Sequence, residues 1–164
     1  MQEFIGEIKH VIINYENKLR AISEELSGFK PVPDKWSVKE ILGHLIDSSI
    51  NNTVRFVKGQ FQGNLIFSGY QQNEWVKAQN YQTAEWNYLI DLWKLNNLQI
   101  IKIVEYIPSD VLGKMYSEHN FEDISGHALP KGITASLDDF ITDYYLHMKH
   151  HLNQIFKMYY IEEK

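Results

Sequence analysis

Four stretches of this chain space their apolar residues three and four apart for roughly 20 residues each, which confines it to an assembly of amphipathic helices. Phe4, Ile8, Val11, Ile12, Tyr15, Leu19, Ile22 and Leu26 form one stripe, predicting a single long helix over residues 2 to about 27, stopped by Gly28. A second helix is expected from 38 to about 59. Trp86, Leu89, Ile90, Trp93, Asn97, Ile100, Ile101 and Val104 mark a third, with Thr83 as its N-cap and its end near Pro108. Leu137, Phe140, Ile141, Tyr144, Met148, Ile155 and Met158 mark the fourth. Strand-period runs, internal repeats and low-complexity tracts are absent. Four such helices in 164 residues, 44% of them hydrophobic, predict one all-α domain over 1–164, a four-helix bundle with long irregular connections.

The helix starts are written in side chains. Ser37 and Glu40 make the S-x-x-E capping box, with Trp36 placed before it as a hydrophobic staple. Ser136 and Asp139 repeat the serine-x-x-acid signal ahead of the last helix. Pro31 and Pro33 keep the first connection out of helix. Residues 60–82 lose period, but Phe61, Phe67, Tyr70, Trp75 and Tyr81 predict a packed loop that covers one side of whatever the second helix presents. Residues 108–135 form another irregular stretch. Asn97, inside an apolar stripe, is expected to bond between helices.

Three of the seven histidines fall in Asp143-Tyr144-Tyr145-Leu146-His147-Met148-Lys149-His150-His151-Leu152-Asn153-Gln154-Ile155. His147 and His151, four apart, put their rings one turn apart on the apolar face. A neutral imidazole there needs partners, because an unpaired buried polar group costs about 1–3 kcal/mol. A metal ion is one such partner, and a carboxylate or amide another. His44, two turns into the second helix beside Ile41, Leu45 and Ser48, is the obvious third donor. His119 and His127, in the second irregular stretch, are further candidates, although loop histidines are more often solvated.

No cysteine is present, so any metal must take nitrogen and oxygen ligands, and no thiolate nucleophile can come from the chain. A net charge of −5 argues against a nucleic-acid partner. No apolar run is long enough to span a membrane, and the acidic start Met-Gln-Glu-Phe-Ile-Gly-Glu is unlike a signal peptide, so a cytoplasmic location is expected.

The motifs W-S-V-K-E-I-L-G-H-L-I-D and D-Y-Y-L-H-M-K-H-H-L-N-Q-I, in this order and separation, resemble the DinB-like, or YfiT-like, superfamily of metal-dependent hydrolases. The likeness extends more loosely over residues 70–97. It implies the DinB-like variant of the four-helix bundle, and it assigns a metal triad to His44, His147 and His151. Three imidazoles suit a divalent first-row ion, zinc or nickel first, and leave coordination open for a guest. The resemblance implies a small-molecule substrate and either hydrolysis or transfer of a bacillithiol-like or mycothiol-like low-molecular-weight thiol. It also makes a homodimer an expectation, though no separate apolar seam in the sequence is assigned to one.

Around the triad, Asp47, one turn past His44, either orients an imidazole or serves as a plain surface or capping carboxylate. His150 is expected on the flank, solvated or between helices, with an acid-base role as the alternative, and Gln154 is a weaker supporting candidate. Ser48, Ser49, Asn51, Asn52 and Thr53 are expected to face solvent or bond across helices, or else to line a polar cavity beside the metal. An enzyme is the first expectation for the whole. A noncatalytic metal-binding module in a stress response is the alternative, because fold alone never settles function.

Overall fold

The computed structural model describes residues 2–126 and 132–162. Its helices are α1 (Gln2–Arg20), α2 (Glu24–Gly28), α3 (Val38–Lys58), α4 (Gln72–Ala78), α5 (Trp86–Glu105), α6 (Ser109–Leu112), α7 (Phe121–Ile124) and α8 (Leu137–Glu162), with a 3₁₀ turn at Tyr81–Thr83. The bundle is formed by α1, α3, α5 and α8. Among the described residues there is no strand, only isolated bridges pairing Leu65 with His119 and Tyr116 with Ala135. No helix there is long and apolar enough to cross a membrane.

Helix α3 is the axis of the assembly, packing against α5, α8, α1's continuation α2, α4 and the 3₁₀ turn. Every residue from Ile41 to Ser49 is buried, which an amphipathic helix with one apolar stripe would not show. Its start is the expected capping box: Ser37 Oγ accepts from Glu40 N–H, and Glu40 Oε2 accepts from Ser37 N–H at 2.8 Å. Each fully buried Leu or Ile in this core, such as Ile41, Leu42 and Ile46, contributes about 1.5–3 kcal/mol of transfer free energy.

Two helix boundaries depart from the local signals, for a tertiary reason. The expected helix over 2–27 breaks after Arg20, because the Leu19 carbonyl accepts from the Trp86 indole Nε1 at 3.0 Å and from Ile22 N–H at 3.0 Å. Ser23 then caps α2 through Leu26 N–H at 3.1 Å. Thr83 does not cap α5. Its hydroxyl accepts from Asn80 Nδ2 at 2.7 Å, and Asn80 takes the left-handed conformation (φ 52°) that turns the chain. The first amide of α5, Trp86 N–H, instead donates to Glu24 Oε2 of α2 at 2.8 Å.

The last helix opens as expected, with Asp139 Oδ2 accepting from Ser136 N–H at 2.8 Å and Ser136 Oγ accepting from Asp139 N–H. Asn97 bonds between helices, accepting the Tyr144 hydroxyl at 2.7 Å. The two irregular stretches are laced together. Leu65 N–H donates to Glu118 O, and Asn120 exchanges two bonds with the Phe67 backbone at 3.0 and 2.8 Å. Phe67 and Phe121 both stack on Phe140 of α8. The packed-loop expectation holds for Phe67, Tyr70, Trp75 and Tyr81; Phe61 departs from it, 74% exposed just past α3 where no element covers it.

Candidate metal centre

His44 enters from α3, and His147 and His151 from α8, where the two helices pack. One ring nitrogen of each lies within 4.8 Å of the others, the one cluster of histidine and acidic side chains with metal-site spacing among the described residues. His44 Nε2 and His147 Nε2 are 3.3 Å apart. Two nitrogens bound to one tetrahedral zinc at about 2.0–2.1 Å stand about 3.3 Å apart, so this pair already has the spacing of a ligand edge.

Burial prepares two of these rings, His44 and His151, as neutral donors. His44 is fully buried, and burial first, then the neighbouring His151, pushes its pKa down to about 4. Burial likewise lowers His151, opposed by its bond to Gln154. That bond joins His151 Nδ1 and Gln154 Oε1 at 2.9 Å and leaves His151 Nε2 for the cluster. The Trp36 indole lies over His44 with ring centroids 5.1 Å apart, so the residue before the cap covers the site as well as the helix end.

The supporting candidates divide. Gln154 stands where the sequence suggested, against His151. His150 is solvent-exposed beside His151, as expected of a flank residue. Asp47 is neither a surface carboxylate nor bonded to His44. It is fully buried, its Oδ1 accepts from the Tyr81 hydroxyl at 2.7 Å and from Gln79 Nε2, and His44 Nδ1 has no hydrogen-bond partner among the described residues. Asp47 is thus committed to the 3₁₀ turn rather than to the rings. His119 is committed too: its Nε2 bonds Ile133 O at 2.7 Å, its ring stacks on Phe121, and it is no part of the cluster. His127 lies outside the described residues.

Of the polar run on α3, Ser48 and Asn52 do not face solvent. They line a cavity of about 40 Å³ together with Arg55, Tyr70, Asp143 and His147. Asn52 Nδ2 donates within α3 to Ser48 O at 2.9 Å, while the Ser48 hydroxyl also meets that of Tyr70. Arg55, Tyr70 and Asp143 are site neighbours that the sequence motifs did not single out. The signal for Arg55 is its spacing: positions 44, 48, 52 and 55 recur every three or four residues and share one face of α3. Tyr70 and Gln72 bring the first irregular stretch onto the same cavity.

No protein-family model matches the chain, and no curated protein sequence matches it. Three chains of known structure do. They place its fold in a class, the four-helix bundles of unusual topology. Within that class the fold is the one seen in YfiT from Bacillus subtilis, described as a probable metal-dependent hydrolase with an unusual four-helix bundle topology: TM-score 0.73 at 15% identity, over 96% of this chain and 87% of that one. The mycothiol-dependent maleylpyruvate isomerase aligns with TM-score 0.68 at 11% identity, over 94% of this chain but 60% of the isomerase. A variant of that isomerase aligns likewise at 10% identity. At these identities the likeness establishes the fold, and it bears out the four-helix bundle of YfiT topology to which the two histidine motifs pointed.

Proposed function

We propose that this chain is a metal-dependent enzyme acting on a small molecule, with His44, His147 and His151 as the ligands of one divalent ion, zinc or nickel. The observation that carries it is the convergence of three imidazole nitrogens from two helices within 4.8 Å. Nitrogen-only donors with no thiolate suit such an ion, and three protein ligands leave room for a guest. When bound, the ion supplies Lewis acidity, which lowers the pKa of water or of a thiol and polarises a carbonyl.

The chain's own residues do the rest. Gln154 holds His151 by Nδ1 and so sets the nitrogen it offers. Trp36 and the buried wall of α3 keep bulk water from His44, which stays neutral through the physiological range. No side chain can serve as a sulfur nucleophile, so a thiol-transfer reaction would borrow its thiol from a low-molecular-weight cosubstrate, in keeping with the thiol-dependent isomerase of the same fold. Hydrolysis would use water at the same place.

Purified protein is expected to hold about one divalent ion per chain by elemental analysis. His147→Ala and His151→Ala should each lower that occupancy at least tenfold while the far-ultraviolet spectrum stays helical. Full occupancy in both variants would overturn the site. Turnover of a thiol with a model electrophile by the parent, and none by His44→Ala, separates an enzyme from a binding module whose metal only stabilises it.

A further inference from the structure

Arg55 is 5% exposed, deep on the face of α3 that carries His44. Removing a guanidinium from water is costly unless an opposite charge meets it. Its contacts are neutral: Nη1 donates to Asn52 Oδ1 at 3.3 Å, Nη2 donates to Ser68 O at 2.7 Å, and the rings of Tyr70 and Phe140 lie 6.0 Å from its centre. None of the ion pairs among the described residues involves it. Burial accordingly pulls its pKa down.

A purely structural arginine, tying α3 to the following loop, would be packed on all sides. This one borders a cavity of about 40 Å³, against roughly 10–15 Å³ for a single water. Ser48, Asn52 and Tyr70 line it as well, and His147, one of the clustered imidazoles, forms part of its wall. Burial first, with the Asp47 charge second, pushes the Tyr70 hydroxyl up to about 12, so it remains a donor. Asp143 also lines the cavity, and its Oδ2 accepts from Gly126 N–H at 2.8 Å.

We infer that this cavity is a carboxylate pocket, in which Arg55 pairs with the acid group of a compact monocarboxylic substrate whose reactive carbon is directed toward His147. The inference deepens the proposed function and rests on it for the chemistry, but not for the binding, since Arg55 attracts the anion with or without an ion at the histidines. The planar fork of Arg55 matches the two oxygens of a carboxylate, Asn52 Oδ1 holds the guanidinium by Nη1, and Tyr70 lines the same wall.

The test uses acetate as the probe, with acetamide as its neutral isostere and inorganic phosphate as a dianion. Each is titrated into metal-free protein and followed by ¹H–¹⁵N spectra of Arg55 and Gly126. Acetate should saturate in the millimolar range, and acetamide and phosphate should each bind at least tenfold more weakly. Arg55→Gln should weaken acetate at least tenfold. Equal binding of acetate and acetamide, tighter phosphate, or undiminished acetate binding in Arg55→Gln would overturn the pocket. Should Arg55→Gln fail to fold, Tyr70→Phe and Asn52→Ala carry the same question, with at least threefold weakening expected in each and no change in either overturning it. Zinc stoichiometry on the same samples separates the two proposals: a chain that takes acetate but no zinc sinks only the metal centre, and one that takes zinc but no acetate sinks only the pocket.

Discussion

Asp47 shows how burial and bonding set one residue's behaviour. Its carboxylate is wholly enclosed, with Oδ1 engaged by Tyr81 and Gln79 and Oδ2 without a partner among the described residues. Burial outweighs the two donors and pushes its pKa up to about 6 from an ordinary 3.8. A carboxyl raised on folding binds more protons folded than unfolded between those values, so its contribution to stability falls as pH rises from 4 to 6 and is constant above. Asp47→Asn removes that titration while keeping an oxygen for Tyr81 and Gln79. The gap in unfolding free energy between variant and parent should therefore move in the variant's favour by about 2–3 kcal/mol between pH 4 and pH 7, measured by urea titration at each pH. Parallel pH profiles would show that ionisation of Asp47 does not burden the fold. At this scale the histidines were legible, because a one-turn pair and a capped-helix partner leave a pattern in the residues themselves. Asp47's true partners were not, since Gln79 and Tyr81 lie in a segment without period, and only the folded chain brings them to α3.

Between elements, Gly43 fixes how α3 meets the 3₁₀ turn. A Cβ there would stand 2.1 Å from Tyr81 Cδ2 and 2.3 Å from Cγ, so the ring lies in the space that glycine leaves. Gly43→Ala gains about 1 kcal/mol of helix propensity but must displace the ring, and overpacking costs about 1–3 kcal/mol or more. A net loss of about 1–2 kcal/mol is expected in denaturant unfolding, with the Tyr81 bond to Asp47 broken. Stability equal to or above the parent would mean that Tyr81 moves aside freely. Helix starts written in neighbouring residues, at Ser37 and Ser136, were legible in the sequence. Those set from afar were not: the end of α1 depends on an indole 67 residues along the chain, and the start of α5 on a carboxylate of α2. Local patterns cannot carry such information, because the competing partner is chosen by packing.

For the whole molecule, the four bundle helices followed from periodicity and the resemblance, while the short helices between them and the central place of α3 did not. Residues Ile41 to Ser49 of α3 are buried on every face, with His44, Asp47, Ser48 and Ser49 among them, so an apolar stripe alone understated its role. The histidine cluster spans α3 and α8, and an ion bound there joins two of the four bundle helices. Binding to the folded chain alone stabilises it by about 2.7 kcal/mol at a free ion concentration 100-fold above Kd. For a chain of this size that corresponds to a rise of roughly 5–10 °C in Tm. Zinc should produce it in the parent and a chelator reverse it, while His44→Ala should show neither by differential scanning calorimetry. A Tm indifferent to both would detach the cluster from metal binding.

The indole packed over His44 has an optical consequence. Trp36 is a fluorophore within 5.1 Å of a ring in the histidine cluster, close enough for a paramagnetic guest to drain its excited state. Nickel or cobalt arriving at the cluster should dim the emission in proportion to occupancy, zinc should leave most of it, and Trp36→Phe should abolish most of the quenching. The chain thereby carries its own gauge of which ion it holds.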